Sequence, residues 1–163
     1  MKLASQGHVG GWKLAGDGGK IADYVVKNQQ THSIALVELK TPGTELIIGE
    51  YRKGVPTVSS KLTGAIVQVL DQRFQFQRSL PLLKETEREL LDAQSYAVDC
   101  IVIAGRTPTN EASAKSLELF RGGLRDVRIF TFDELLGKMK ALLNFLRRPP
   151  EAQPEPADAD LPF

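Results

Sequence analysis

The stretch that most constrains this chain is Ser33-Ile34-Ala35-Leu36-Val37-Glu38-Leu39-Lys40, which is apolar on both sides of the backbone until its last residues. A strand with one wet face alternates polar and apolar side chains. A run that is apolar at successive positions suits a central strand of a sheet covered on both faces. Thr41-Pro42-Gly43 stops it, because proline lacks the N–H that a ladder needs. The C-terminal end breaks the apolar pattern. Glu38 and Lys40 are two residues apart, so they project to the same face of the sheet. Unpaired charge on a covered face is costly, so these two side chains need partners.

The elements around this strand define a fold class. Val9 to Leu14 reads as a short strand, followed by a hairpin turn at Gly16-Asp17-Gly18-Gly19. Ile21 to Val26 reads as a second strand, ending at Lys27-Asn28-Gln29-Gln30. Residues 44–60 read as a long connection. Ser59 or Ser60 is placed to cap a helix from Lys61 to Arg78, with Leu62, Ala65, Ile66, Val69 and Leu70 at helical spacing. Residues 81–95 are highly charged and read as a helical excursion on the surface. Val98 to Ala104 reads as a buried strand, and Glu111 to Arg121 as a helix stopped by Gly122-Gly123. Val127 to Phe132 reads as a further strand. A final helix begins near Asp133, with Leu135, Leu136, Met139, Leu142, Leu143 and Leu146 on its apolar side. The predicted order is β-β-β-α-(α)-β-α-β-α, an α/β fold whose mixed sheet opens with an antiparallel meander.

Composition narrows the function classes. A length of 163 residues suits one domain with a substantial core. The 42% hydrophobic and 25% charged residues exclude whole-chain disorder and fibrous architectures. No apolar run approaches the ~20 residues of a membrane-spanning helix, and no secretory leader is legible, so a cytoplasmic protein is expected. A single cysteine, Cys100, excludes an internal disulfide and a multi-cysteine metal site. Residues 149–163 contain five prolines, the acids Glu151, Glu155, Asp158 and Asp160, and no base. They read as a disordered acidic tail after a domain spanning residues 1–148. Without the tail, 21 bases face 16 acids, a balance that permits contact with a polyanion without requiring it.

The candidate chemistry gathers at the end of the central strand. If the two preceding strands pair through the turn at residues 29–32, Asp23 approaches Glu38. Adjacent carboxylates repel and raise one pKa; a divalent cation bound to both removes the conflict, and hard oxygen ligands suit Mg²⁺ or Mn²⁺. A Glu38–Lys40 ion pair with Asp23 solvated fits the same residues, and both arrangements remain open. Gln68 lies with Lys61, Gly64 and Gln72 in a polar or small stripe bordering the helix's apolar face. It reads either as an exposed amide or as a group that orients a water or phosphate. The remaining candidates read as structural. His8 and His32 fall on loops with surface or capping roles, and Cys100 is a small hydrophobe in a buried strand. Trp12 and Tyr24 are core residues, Arg147-Arg148 complements a helix C-terminus, and the glycine turn at 16–19 is no dinucleotide motif.

The set Asp23, Glu38-Leu39-Lys40 and a following helix resembles the PD-(D/E)XK nuclease superfamily. Longer strings narrow the likeness. Val9-Gly10-Gly11, Gly19-Lys20-Ile21-Ala22-Asp23-Tyr24 and Val37-Glu38-Leu39-Lys40-Thr41-Pro42 resemble the nuclease domain of Shedu anti-phage defence proteins. So do Tyr51-Arg52, Ser60 to Leu70, Leu117-Glu118-Leu119-Phe120-Arg121 and Val127 to Leu135, in the same order. The resemblance implies a restriction-endonuclease-like core, a mixed β-sheet flanked by helices, and Mg²⁺- or Mn²⁺-dependent hydrolysis of DNA. It implies Asp23 and Glu38 as metal ligands, Lys40 as the residue that positions water and stabilises the phosphate, and Gln68 as a supporting catalytic residue. It also implies assembly as a homo-oligomer. The acidic helix that usually leads this family has no counterpart before Met1-Lys2-Leu3. The chain is therefore expected to be a piece of a longer protein, with an N-terminal sensor region outside it, or a short variant. The other function compatible with these features is a catalytically weak domain of the same fold that binds nucleic acid or mediates assembly.

Overall fold

The computed structural model describes residues 2–9 and 20–147. Seven strands and three helices follow the order β1 (Lys2–Val9), β2 (Lys20–Lys27), β3 (Ser33–Leu39), β4 (Ile47–Arg52), β5 (Val55–Val58), α1 (Ser60–Thr86), β6 (Gln94–Ile103), α2 (Glu111–Gly122), β7 (Val127–Phe130) and α3 (Phe132–Arg147). Five strands form one mixed sheet in the order β1-β2-β3-β6-β7, with β3 at its centre. The first three run as an antiparallel meander, and β3, β6 and β7 are mutually parallel. The α/β class, the mixed sheet and the central place of the apolar strand match the sequence reading.

The core lies between the sheet and α1. Along β3, Ile34, Leu36 and Glu38 are buried while Ala35, Val37 and Leu39 are only half-buried. On β6, Val98, Cys100 and Val102 continue the buried side. Helix α1 crosses β3 and β6 and buries Leu62, Ala65, Ile66, Val69, Phe76, Leu80 and Leu83. Ser59 begins it as N-cap, its Oγ accepting the Leu62 N–H at 3.1 Å and donating to the Glu45 carbonyl at 2.6 Å. A loop at the sheet end is held by close packing. Gly105 sits at φ 58, and a Cβ there would lie 2.4 Å from the Thr44 carbonyl oxygen, so only glycine fits. Its N–H donates to the Thr41 carbonyl at 3.1 Å.

Several boundaries differ from the sequence reading. The expected strand Val9–Leu14 and its glycine turn lie outside the described residues, except Val9, which ends β1; His8 is in that strand, not in a loop. The long connection at 44–60 contains the hairpin β4–β5. Helix α1 does not stop at Arg78. It runs through Pro81 to Thr86, because burial of Leu80 and Leu83 outweighs the one backbone hydrogen bond that proline forfeits. Strand β6 begins at Gln94, inside the charged stretch that reads as helical; only a 3₁₀ turn, Arg88–Leu90, separates it from α1. Tyr24, read as core, is half-buried, and the acidic tail lies outside the described residues.

Helix α3 is launched by a dense polar anchor. Thr131 and Glu134 form a capping box: the Thr131 N–H donates to Glu134 Oε2 at 3.1 Å and the Glu134 N–H to Thr131 Oγ1 at 3.4 Å. Arg121 of α2 donates to Glu134 Oε2 at 2.9 Å and also to Glu118. The guanidinium holds the Glu134 carboxyl below its ordinary pKa. The Thr107 N–H donates to Asp133 Oδ1 at 3.0 Å, and the Thr107 side chain together with this N–H lowers that carboxyl to about 2. Beyond this first turn, every residue from Leu136 to Arg147 is exposed.

Candidate active site

Strand pairing builds the site. Val25 pairs with Leu36 and Tyr24 with Val37, and continuing this register one step places Asp23 opposite Glu38. Val25, Leu36 and Glu38 are all buried, so the two acids emerge at the end of the face that α1 covers. Asp23 Oδ2 accepts the Leu39 N–H at 2.7 Å, a bond that fixes its carboxylate against the next strand. The pairing of β3 with β6 extends one residue further, with the Lys40 N–H donating to the Ile103 carbonyl at 2.9 Å.

Lys40 bridges the sheet and the helix. Its Nζ donates to Glu38 Oε1 at 2.6 Å and to Gln68 Oε1 at 3.3 Å. Glu38 is 2% exposed, and its second oxygen, Oε2, is buried with no hydrogen-bond partner. A buried carboxylate oxygen without a donor is a high-energy arrangement. A cation beside it would relieve that cost, and the neighbouring Asp23 supplies a second hard oxygen donor. Among the described residues no group of three or more His, Cys, Asp or Glu side chains assembles as a metal site. Two carboxylates are nonetheless the protein share typical of Mg²⁺, which keeps waters and substrate oxygens in its remaining positions. The residues present therefore fit the ion.

An open cleft of about 430 Å³ adjoins the tetrad, lined by Lys40, Thr44, Ser60, Lys61, Gly64 and Gln68. The first turn of α1 holds no acid, so the positive end of the helix faces this cleft without a built-in counter-charge. The structure thus connects Glu38, Lys40 and Gln68 by direct contacts and sets Asp23 beside them. The Glu38–Lys40 ion pair foreseen as an alternative is present, while Asp23 is hydrogen-bonded and half-buried, not simply solvated. Gln68 is exposed, yet bonded to Lys40. Gln72, read as part of the same polar stripe, is instead fully buried. Sequence reasoning missed Thr44 and Ser60 as cleft residues; the available signal was a second serine directly after a helix cap.

Other candidates fall outside the site. His32 sits at positive φ (57°) in the β2–β3 turn, with Nδ1 2.8 Å from Asp92. Asp92 also receives the Lys27 ammonium at 2.7 Å. Cys100 is buried, its thiol pushed up to about 11 by desolvation, and behaves as the structural hydrophobe expected. No helix among the described residues is long and apolar enough to cross a membrane.

Residues 2–136 match the family described as Shedu protein SduA, C-terminal. The chain is 36% identical over 158 residues to the Shedu protein SduA of Bacillus cereus (strain B4264), an alignment that covers 88% of this chain. The chain spans only about 40% of that curated relative's length.

Proposed function

The chain belongs to the Shedu protein SduA C-terminal family, and from that footing we propose that it is a metal-dependent DNA endonuclease domain serving bacterial anti-phage defence. The observation that carries this reading is the buried, unpartnered Glu38 Oε2 beside Asp23, in a carboxylate joined through its other oxygen to Lys40, which lines the cleft together with Lys61. Asp23 and Glu38 are the residues that would hold Mg²⁺ or Mn²⁺. When bound, the ion supplies Lewis acidity toward a phosphate oxygen and lowers the pKa of water.

The chain's own groups supply the rest. The Lys40 ammonium has three N–H donors, two of them committed to Glu38 and Gln68. The third is available to a phosphate oxygen in the cleft, where a fixed positive charge stabilises the negative charge that develops as the phosphodiester is attacked. Gln68 holds the ammonium in place from the helix side and keeps its amide N–H₂ group for a water or a phosphate. The uncompensated first turn of α1 and Lys61 favour a polyanion along the same wall.

The test is nicking of supercoiled plasmid by the wild-type chain with Mg²⁺ and with EDTA, alongside Glu38→Gln. Nicking should require the metal and should disappear in the variant. Nicking that persists in EDTA would overturn the metal-dependent reading. A second reading is favoured by one specific contact, the 2.6 Å Lys40–Glu38 pair, which neutralises both groups in the absence of a metal. On that reading the domain binds DNA without cutting it, and wild type and Glu38→Gln would shift labelled duplex equally, with no cleavage by either.

A further inference from the structure

Tyr51-Arg52 is one of the strings that carry the family resemblance, yet neither the core nor the tetrad uses it. The pair ends β4, in a two-stranded ribbon with β5 that belongs to no larger sheet. The register of that ribbon is broken twice. Ile48 pairs with Thr57, Glu50 with Pro56 and Arg52 with Val55, so Gly49 and Tyr51 are each an extra residue on β4. Gly49 takes a positive φ of 48°, which glycine supplies at such bulges. A bulge interrupts the ladder and re-aims the side chain it carries. Here the side chain so placed is Tyr51, 74% exposed. Arg52 Cζ lies 5.4 Å from the centre of its ring, within cation–π range. The ring thus meets a guanidinium while most of the residue stays in water.

We propose that this ribbon is a substrate arm that grips an unpaired stretch of DNA, with a base stacked on Tyr51 and the neighbouring phosphates held by Arg52 and Lys53. The inference rests on the nuclease reading for its choice of DNA and adds the form of DNA that the domain prefers. The arm is rooted in the cleft wall. The Ser59 N–H donates to the Leu46 carbonyl at 2.9 Å and closes its base. Thr44, two residues before, and Ser60, one residue after, line the cleft with Lys61. Helix α2 packs along β5 and supports the arm. Six residues of strand reach about 20 Å, the length of about six stacked nucleotides, so one short strand is long enough to touch both cleft and tip. Charge at the tip suits it: Arg52 and Lys53 are adjacent, and Glu50 is the only acid from Ile47 to Val58. Aromatic platforms beside cations bind single strands without reading sequence, because every base has a π-face. Inside a duplex those faces are stacked on their neighbours and closed to a side chain. An added strand from a protein partner fits poorly, since Pro56 lacks an N–H and the bulges bend β4.

The test is fluorescence anisotropy of the whole chain in EDTA, so that binding is read apart from metal-dependent cleavage. The probes are a labelled oligothymidine of about 20 nucleotides and a blunt duplex of about 20 base pairs, each above the ~4–16 nucleotides of a single-strand site. Wild type should bind the oligothymidine more tightly than the duplex. Tyr51→Ala should weaken oligothymidine binding by about 5- to 150-fold, the loss of one stacked base, and Tyr51→Phe should retain it. Both variants should keep the wild-type circular dichroism and melting temperature, because the side chain they replace is exposed. Arg52→Ala should flatten the dependence of log K on log salt by about 0.7, the share of one single-strand phosphate. Equal oligothymidine binding by Tyr51→Ala and wild type, the outcome expected if the arm meets a protein, would overturn the proposal. So would a wild type that prefers the duplex or binds neither probe, or a Tyr51→Phe loss as large as that of Tyr51→Ala. Tyr51-dependent binding by a chain that nicks no plasmid with Mg²⁺ would instead remove the nuclease reading and leave the arm in place.

Discussion

Helices α1 and α3 carry the same kind of message in sequence and meet opposite fates. Both show leucines and other apolar residues at spacings of three and four. Helix α1 is interrupted by Pro81, has polar residues at many positions, and still buries eight residues, among them Phe76 and Gln72 at 0% exposure. Helix α3 has the cleaner stripe and buries none. Periodicity therefore reports which side of a helix seeks cover, not whether the cover lies in the same chain. What separates the two is topology. Helix α1 is the crossover between the parallel strands β3 and β6, so the chain must return across the sheet and its stripe is pressed onto it. Helix α3 follows β7, at the edge of the sheet, and nothing obliges it to turn back.

The sharpest way to break this contrast is to cut the same chemistry from both helices. Phe76→Ala should cost about 3–5 kcal/mol, the range for emptying an aromatic side chain from a packed core, and lower the melting temperature by on the order of 10 °C. Leu142→Ala should change stability by less than about 0.5 kcal/mol, when melting is followed at concentrations too low for self-association. Comparable losses in the two variants would mean that α3 is packed within the monomer. A somewhat smaller effect is expected where α1 meets the site. Lys40→Ala should slow single-turnover cleavage by about 10²–10³ while leaving Mn²⁺ affinity nearly unchanged, because the carboxylates hold the ion. Lys40→Arg should not restore the rate, since a planar fork cannot replace a compact ammonium held between Glu38 and Gln68. Leu146→Ala should leave the same rate constant unaltered. Equal cleavage by Lys40→Ala and wild type would remove the lysine from the chemistry.

The amount that sequence alone revealed follows the same physical divide. Strand β3 was legible because a short run that is apolar at every position suits a strand covered on both faces and little else. The parallel strands β6 and β7 were legible because their inward residues Val98, Cys100, Val102, Val127 and Ile129 are buried and mostly β-branched. The tetrad Asp23, Glu38, Lys40 and Gln68 was legible as a set of positions, but not the way it is wired. No spacing rule shows that Lys40 reaches across to Gln68, or that one oxygen of Glu38 is left alone. The β4–β5 hairpin escaped because nearly all its residues are exposed, so no alternation marks it. Its one signal is Lys53-Gly54, with Gly54 at φ 76°. The passage of α1 through Pro81 and the burial of Gln72 escaped because tertiary packing overrode local preference.

The smallest effect concerns the anchor of α3. Asp133 is held at about 2 by the Thr107 hydrogen bonds, below the ordinary value of 3.8. Its contribution is therefore present above pH ~4 and is lost as the pH falls toward 2. The group is almost wholly exposed, so Asp133→Asn should lower the melting temperature at pH 7 by about 1 °C or less. The difference from wild type should vanish at about pH 2. A constant difference across that range would locate the effect in hydrogen bonding and not in charge.

That anchor also makes α3 a lever. Its fulcrum is a few atoms wide, the Glu134 carboxylate gripped by Thr131 and Arg121, while its free arm extends about 24 Å. A tilt of about 10° at the fulcrum carries the far end sideways by about 4 Å, most of the rise of one helical turn. Whatever is seated on α3 is thus steered by side chains it never touches. A rotamer change at Arg121, on α2, would be magnified along the helix before it reached Arg147.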